Sequence, residues 1–267
     1  MKEKEINEII GERFKTIDKL SHKIIKEFAV DDIHDFRVEV KKLRAFLRLL
    51  DIKKEDSEPV IPSLLKTFYG YIGIVRNIQL YRHNLFKYIT ANNIDKPEAY
   101  LKLLSDEETY WKKQAEALMA DNNFHEVKEK IIKALPDKLE KPTIKKFVEA
   151  KLDDLKKQLE DTGNEPGLHT IRKILKDYLY TYDYTNDHAG LPEAISDKGD
   201  LKLLTQMLGD FIDKCMQLEY LQPVYLDKIK DENEKINLLQ MKNDFEHEKQ
   251  GMKQELKYSL KKLQEQL

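Results

Sequence analysis

Apolar residues recur at intervals of three and four positions along almost the whole chain. In the first segment Ile9, Phe14, Ile17, Leu20 and Ile24 share one helical side, and charged residues occupy the others. The same periodicity predicts helices over residues 6–28, 32–50, 63–90, 97–120, 123–135, 143–159, 168–184, 198–221 and 224–267. No segment has a clear strand pattern, so the sequence predicts an all-α fold.

Turn-forming residues separate the predicted helices. Loops are predicted over residues 51–62 and 186–199, and a turn over 161–167, because Gly, Pro, Asn and Asp are frequent there. The best candidate boundary is 137–142, which follows Pro136 and ends at Pro142. We therefore divide the chain into two helical halves, 1–136 and 137–267, which together form one domain.

A repeated motif relates the two halves. A His-x-x-Arg sequence begins at His34 and again at His169. The first histidine is followed after 39 residues by Gly73, and the second after 40 residues by Gly209, both inside predicted helices. Two landmarks at nearly equal spacing indicate a duplicated helical unit of about 135 residues.

The second predicted helix carries a stripe of cationic residues beside its apolar side. Its members follow a spacing of three and four residues: His34, Arg37, Lys41, Arg44 and Arg48. Like charges at this spacing repel by roughly a few tenths of a kcal/mol per pair. Positive groups that repeat every ~5 Å along a helix suit a linear chain of phosphates. The stripe therefore predicts binding of a phosphate-rich polyanion.

The second copy of the stripe is shorter. His169, Arg172 and Lys176 keep the line, but Leu179 stands at its next position and Asp177 adds a negative charge.

Two residues stand beside the first stripe or at its start. Arg76, on the long third helix, is predicted to extend the positive wall. His34 titrates near neutral pH, and the sequence leaves open whether it binds a ligand as a cation or acts as a structural donor.

Composition narrows the function classes. The net charge is −2 and the pI about 6.4, whereas a generic nucleic-acid binder is usually more basic, so nucleic acid is a disfavoured ligand. The single cysteine, Cys215, excludes an intramolecular disulfide and a Cys-based zinc site. Neither a signal-peptide core nor an apolar stretch of roughly 20 residues is present. We expect a soluble, cytoplasmic protein with no membrane partner.

Residues 33–50 contain the pattern H-x-x-R-V-x-x-K-K-L-R and closely resemble the opening motif of CHAD domains, the conserved-histidine α-helical domains. Residues 73–77 are similar to the second motif of that family, which usually has Asp at the position of Asn77. Residues 169–172 and 208–213 resemble the versions of these motifs in the second half. The resemblance covers about residues 5–221.

The resemblance implies two four-helix bundles with long antiparallel helices, related by a pseudo-two-fold axis, with a basic groove or pore between them. It also implies binding of inorganic polyphosphate and location at polyphosphate granules. Carried over residue by residue, the polyphosphate contacts would be His34, Arg37, Lys41, Lys42, Arg44, Arg48, Arg76, His169, Arg172 and Lys176. We expect no catalysis, no metal and no cofactor. The acidic total charge and the shortened second stripe leave a shorter anion open as the ligand.

Two other function classes remain open. The His34–Asp35 pair is compatible with a metal-dependent phosphohydrolase, but the further His and Asp ligands that such chemistry needs are not evident. Neither a phosphate-binding G-x-x-x-x-G-K-[ST] loop nor a G-x-S-x-G motif occurs. A helical scaffold is the second alternative, in which the apolar side of the last helix, marked by Phe245, Leu256 and Leu260, pairs with another chain.

Overall fold

The computed structural model describes residues 1–50, 61–160, 164–189 and 193–267. The helices in these ranges are α1 (Glu3–Glu27), α2 (Val30–Leu49), α3 (Ser63–Ala91), α4 (Glu98–Ala120), α5 (His125–Ile132), α6 (Lys141–Leu159), α7 (Glu165–Ala189), α8 (Glu193–Ser196), α9 (Lys198–Glu219), α10 (Pro223–Leu226) and α11 (Glu232–Gln266). No β-strand occurs in this part of the chain, apart from an isolated bridge between Lys2 and Lys138. The predicted all-α class is confirmed.

The first six predicted helices begin and end within three residues of the observed helices α1–α6. The predicted loop over 186–199 is partly wrong, because α7 continues to Ala189 and α8 follows at Glu193. Nothing between 185 and 189 is Gly or Pro, so no residue there stops the helix. Likewise, α7 begins at Glu165, inside the predicted turn. Residues 51–60, 161–163 and 190–192 of the predicted loops lie outside the described residues.

The C-terminal region forms two helices where one was predicted over 224–267. The short α10 begins with Pro223, and α11 begins only at Glu232. Asp231 caps α11, because its side chain accepts a hydrogen bond of 2.8 Å from the backbone N–H of Glu234. An aspartate at this position was the sequence signal for a new helix start.

The apolar side of α11 packs inside the protein. Its buried residues are Leu238, Met241, Phe245, Leu256, Leu260 and Leu263. They belong to the core of this chain, where α11 lies against α9 and α6. The side that was expected to pair with a second chain is therefore covered by the protein itself.

Two buried apolar clusters form the core, and each contains residues from both predicted halves. In the larger cluster Phe36 and Phe68 meet edge to face, with ring centroids 5.2 Å apart, and Phe124 packs on both. The same cluster continues through Leu168 and Leu260 in the second half. The two halves therefore share one core.

Hydrogen bonds between buried tyrosines also join the halves. The hydroxyl of Tyr100 on α4 donates to the backbone oxygen of Tyr220, at 2.5 Å, directly after α9. It lies 2.9 Å from the hydroxyl of Tyr81 on α3. Since a buried hydroxyl without a partner destabilises a protein by ~1–3 kcal/mol, these bonds fix the relative positions of α3, α4 and α9.

The helices α2 and α3 approach closely where Arg37 lies against Gly73. Arg37 Nη1 donates to the backbone oxygen of Tyr69 at 2.8 Å, and its Cζ lies 4.0 Å from the centroid of the Tyr69 ring. A Cβ atom at position 73 would lie only 2.3 Å from Arg37 Nη1. The absence of a side chain at Gly73 therefore makes room for the guanidinium.

The second half repeats this arrangement. Arg172 of α7 lies against Gly209 of α9, where a Cβ atom would be 3.3 Å from Arg172 Nη2. The arginine of each His-x-x-Arg motif and the mid-helix glycine that follows it are thus neighbours in space in both halves. This pairing supports the duplication predicted from the sequence.

We predict that Gly73→Ala is at least ~1 kcal/mol less stable to urea than Gly70→Ala. Alanine favours a helix over glycine by about 1 kcal/mol at either position. A Cβ at Gly70 meets nothing within 4 Å, whereas one at Gly73 displaces Arg37 from its hydrogen bond and from the Tyr69 ring. Equal unfolding free energies for the two variants would contradict the close contact.

Candidate anion-binding site

Two of the residues predicted to bind an anion are engaged in ion pairs. Lys42 Nζ lies 2.5 Å from Glu39 Oε1, and the same carboxylate pairs with Arg13 at 3.1 Å. Arg48 Nη1 donates to both carboxylate oxygens of Asp177, at 2.9 and 3.2 Å. The positive charges of Lys42 and Arg48 are therefore compensated by carboxylates of the protein.

Asp177 is buried and accepts contacts from both halves. Besides Arg48 it pairs with Lys151 of α6, whose Nζ lies 3.2 Å from Oδ2. The negative charge that interrupts the second stripe is thus neutralised locally, and it anchors the end of α2 on α7.

Five cationic side chains meet where α2, α3 and α7 converge, and we call them the central basic cluster: Arg37 and Lys41 of α2, Arg76 of α3, and Arg172 and Lys176 of α7. Burial, followed by the charges of the other four, lowers the pKa of Lys41 to about 7. Burial of the ammonium group and repulsion by the four nearby cations both disfavour the charged form of Lys41. The structure therefore combines basic residues of both halves into one site.

Two other members of the cluster also have a lowered pKa. Burial, as the first cause, lowers the pKa of Arg37 and that of Lys176. The charge of Arg172 lowers the pKa of Lys176 further. Each of these shifts means that the folded protein disfavours the positive form, so an anion placed here would relieve it.

His34 orients Arg76 at the edge of the cluster. Arg76 Nη2 lies 3.1 Å from His34 Nδ1. Because a guanidinium only donates hydrogen bonds, Nδ1 must accept, and the ring proton is then on Nε2. Burial and the charge of Arg76 lower the pKa of His34, so the ring is neutral at pH 7. His34 thus acts as an acceptor for Arg76, and its Nε2–H is left to contact a ligand.

Two further predicted residues border the cluster. Solvent reaches part of His169, and its pKa is lowered by partial burial of the ring and then by the charges of Lys173, Arg172 and Lys41. Arg44 lies above the ring of Tyr69, with its Cζ 5.8 Å from the ring centroid. Of the ten predicted residues, eight thus lie in or beside the cluster, and Lys42 and Arg48 are held in ion pairs.

Two guanidinium groups of the cluster have unused donors. The Nε atoms of Arg76 and Arg172 are buried and have no hydrogen-bond partner among the described residues. Arg13 and Arg82 also have an unpaired Nε, but Glu39 and Glu108 compensate their charges. Within the described ranges no carboxylate lies within 4.0 Å of Arg76 or Arg172. Since buried donors are nearly always paired, these two arginines are suited to an external oxyanion.

Sequence reasoning missed three residues that line the cluster. Tyr69 lies beneath Arg37 and Arg44. Lys176 Nζ lies 5.7 Å from the centroid of the Tyr180 ring. Asp213 of α9 is within electrostatic reach of three cluster members. The sequence did contain a signal for them, because residues four positions apart share one face of a helix. Tyr69 and Asp213 are each four positions from a repeat glycine, and Tyr180 is four positions from Lys176.

The donor set of the cluster consists of guanidinium, ammonium and imidazole N–H groups, which bind oxyanions. In the part of the chain that the structure describes, no group of three or more His, Cys, Asp or Glu side chains is arranged to hold a metal ion. No described helix has the length and apolar character that crossing a membrane requires.

Comparisons with known proteins agree with the motifs and the fold. A family model described as "CHAD domain" matches residues 8–222, which include both His-x-x-Arg motifs and both repeat glycines. Among solved structures, the chain is similar to the crystal structure of the CHAD domain from the plant Ricinus communis. That likeness has a TM-score of 0.71 at 15% sequence identity and covers 97% of this chain and 91% of the other. No curated protein matches the sequence. The family match spans most of the chain and the structural likeness shows the same fold, so this chain belongs to the CHAD domain family.

Proposed function

We propose that this chain binds inorganic polyphosphate, or a polyanion of the same phosphate chemistry, in the central basic cluster, and that it catalyses no reaction on it. The observation that carries the proposal is the convergence of five cations from both halves, in which the buried Nε atoms of Arg76 and Arg172 have no hydrogen-bond partner among the described residues. Phosphate oxygens beside Lys41 would supply the missing negative charge. We extend the proposal to location at polyphosphate granules.

The arrangement of the cations favours a chain of phosphates over a single one. Arg37 and Arg44 are seven residues apart on α2, which separates them by ~10 Å along the helix. Arg172 and Lys176 lie one turn apart on α7. A single phosphate would contact one or two of these cationic side chains, whereas a chain of linked phosphates would contact cations of both α2 and α7. Each guanidinium can bind two phosphate oxygens.

The aromatic residues of the site argue against nucleic acid as the preferred ligand. Proteins that bind single strands stack bases on exposed aromatic rings. The Tyr69 ring is covered by Arg37, whose Cζ is 4.0 Å from its centroid, and Arg44 lies near the same ring. Lys176 occupies the neighbourhood of Tyr180. The tyrosines of the site thus lie beside cations, which favours phosphate over a base as the group that binds here.

We predict that calorimetric titration with long-chain polyphosphate shows binding whose affinity falls steeply with salt, because the ligand releases counterions. Lys41→Gln/Arg172→Gln removes one charge from each half and weakens binding by about 10- to 100-fold. The matched control, Lys15→Gln/Lys145→Gln, removes two lysines whose side chains are 77% and 66% exposed. Duplex DNA competes poorly.

Absence of binding at low salt would refute the polyphosphate proposal. An equal loss in the exposed control pair would show that total charge, and not the cluster, controls binding. Effective competition by DNA would mean that the site is a general polyanion surface.

The pH dependence of binding follows from Lys41. In the free protein its pKa is about 7, and bound phosphate moves it back towards its ordinary value. Binding above about pH 7 therefore takes up a proton, and we predict that affinity falls by up to about tenfold per pH unit between about pH 7 and about pH 9. Lys41→Arg stays charged throughout this range and should flatten the profile. Identical slopes for the two proteins would exclude Lys41 as the source.

A further inference from the structure

Asp213 brings a negative charge to a site built from positive ones. It lies on α9 and is exposed to solvent. The charges of Arg76, Arg172 and Lys41, from three other helices, all act on its carboxyl, and Asp213 in turn acts on Arg37. Nevertheless it forms no ion pair within 4.0 Å with any described residue. Asp213 is thus a carboxyl near three cations that it does not contact, one turn along α9 from Gly209, which lies against Arg172.

The first half has a neutral amide at the equivalent position. Asp213 is four residues after Gly209, and Asn77 is four residues after Gly73. The Asn77 amide lies 3.5 Å from the sulfur of Met216, also on α9. The duplicated fold thus accommodates an uncharged amide after one repeat glycine and a carboxyl after the other, so the charge of Asp213 is not a requirement of the fold.

We propose that Asp213 determines specificity by controlling phosphate entry to the central basic cluster through its own protonation: the carboxylate opposes a bound phosphate, whereas the neutral acid donates a hydrogen bond to it. This inference rests on the proposed function. The proton comes from solvent, and no bond is made or broken in the ligand. A phosphate that binds beside Asp213 favours the neutral acid, because a nearby like charge disfavours the carboxylate.

The surroundings of Asp213 fit such a response. Solvent reaches part of the side chain, but its partial burial raises the pKa of the carboxyl even though Arg76, Arg172 and Lys41 act in the opposite direction, and the exposed Asp210 raises it further. On α11, Glu248 pairs with Lys214 of α9, and Lys249 pairs with Glu165. The charges that face Asp213 therefore come from α2, α3, α7 and its own helix, and a bound phosphate adds to the effect of Asp210.

The test compares Asp213→Asn with the wild type in calorimetric titrations with tripolyphosphate at low salt. Asparagine has the shape of the neutral acid and keeps a donor at every pH. We expect the variant to bind about tenfold more tightly near pH 8, as removal of one close charge predicts. The ratio of the two affinities should shrink as the pH is lowered towards about pH 5. Protonation of the histidines affects both proteins and leaves the ratio unchanged.

Two further variants make the test specific. Asp213→Glu keeps the titrating carboxyl and should keep the pH dependence of the wild type. Asp210→Asn removes the same charge one turn away on the same helix, from an exposed residue that accepts a hydrogen bond from Gln206, and should change affinity by less than about twofold.

The possible failures are distinguishable. If wild type and Asp213→Asn bind equally at all pH values, only the role of Asp213 is refuted. If Asp210→Asn reproduces the gain, net charge explains it, and the role of Asp213 is again refuted while polyphosphate binding stands. If neither protein binds tripolyphosphate or long-chain polyphosphate at low salt, the proposed function falls and this inference with it.

Discussion

The structure depends on the close contact between an arginine and a glycine, made once in each half. Gly73 admits Arg37 and Gly209 admits Arg172 at distances that a side chain on the glycine would prevent or disturb. These contacts hold two guanidinium groups in place. The charges of both act on Lys41, which is itself largely buried. Like charges held this way repel and are poorly hydrated, as the lowered pKa of Lys41 shows. A fold with a shared apolar core can maintain such an arrangement, and an anion is what would relieve it.

The acidic residues show where the protein compensates its own charge and where it does not. Glu39 neutralises Lys42 and Arg13, and Asp177 neutralises Arg48. Both pairs lie outside the central basic cluster. Because the total charge is only −2, the positive potential of this protein must come from local arrangement. The carboxylates restrict it to the cluster, whereas Asp213 interacts electrostatically with Arg76, Arg172 and Lys41 and forms no ion pair with a described residue.

Much of the fold was predictable because helical periodicity is a local property. The repeat glycines and the His-x-x-Arg motifs were visible as spacings, and the structure makes them neighbours. Ion pairs between distant residues were not predictable: Lys42 and Arg48 follow the motif, but their partners depend on how α1 and α7 pack against α2. The role of His34 needed the position of Arg76, 42 residues away. The place of Asp213 beside the cluster could not be predicted, because its cationic neighbours come from three other helices.

The central claim is that arginines of both halves contact one ligand in a single site. The most direct measurement is nuclear magnetic resonance of the arginine Nε–H groups during titration with tripolyphosphate. Arg37, Arg76 and Arg172 should shift together and reach saturation at the same ligand ratio. Arg13 and Arg82 should stay unchanged, because their charges are compensated by Glu39 and Glu108. Separate transitions for Arg37 and Arg172, or shifts confined to one half, would contradict a shared site.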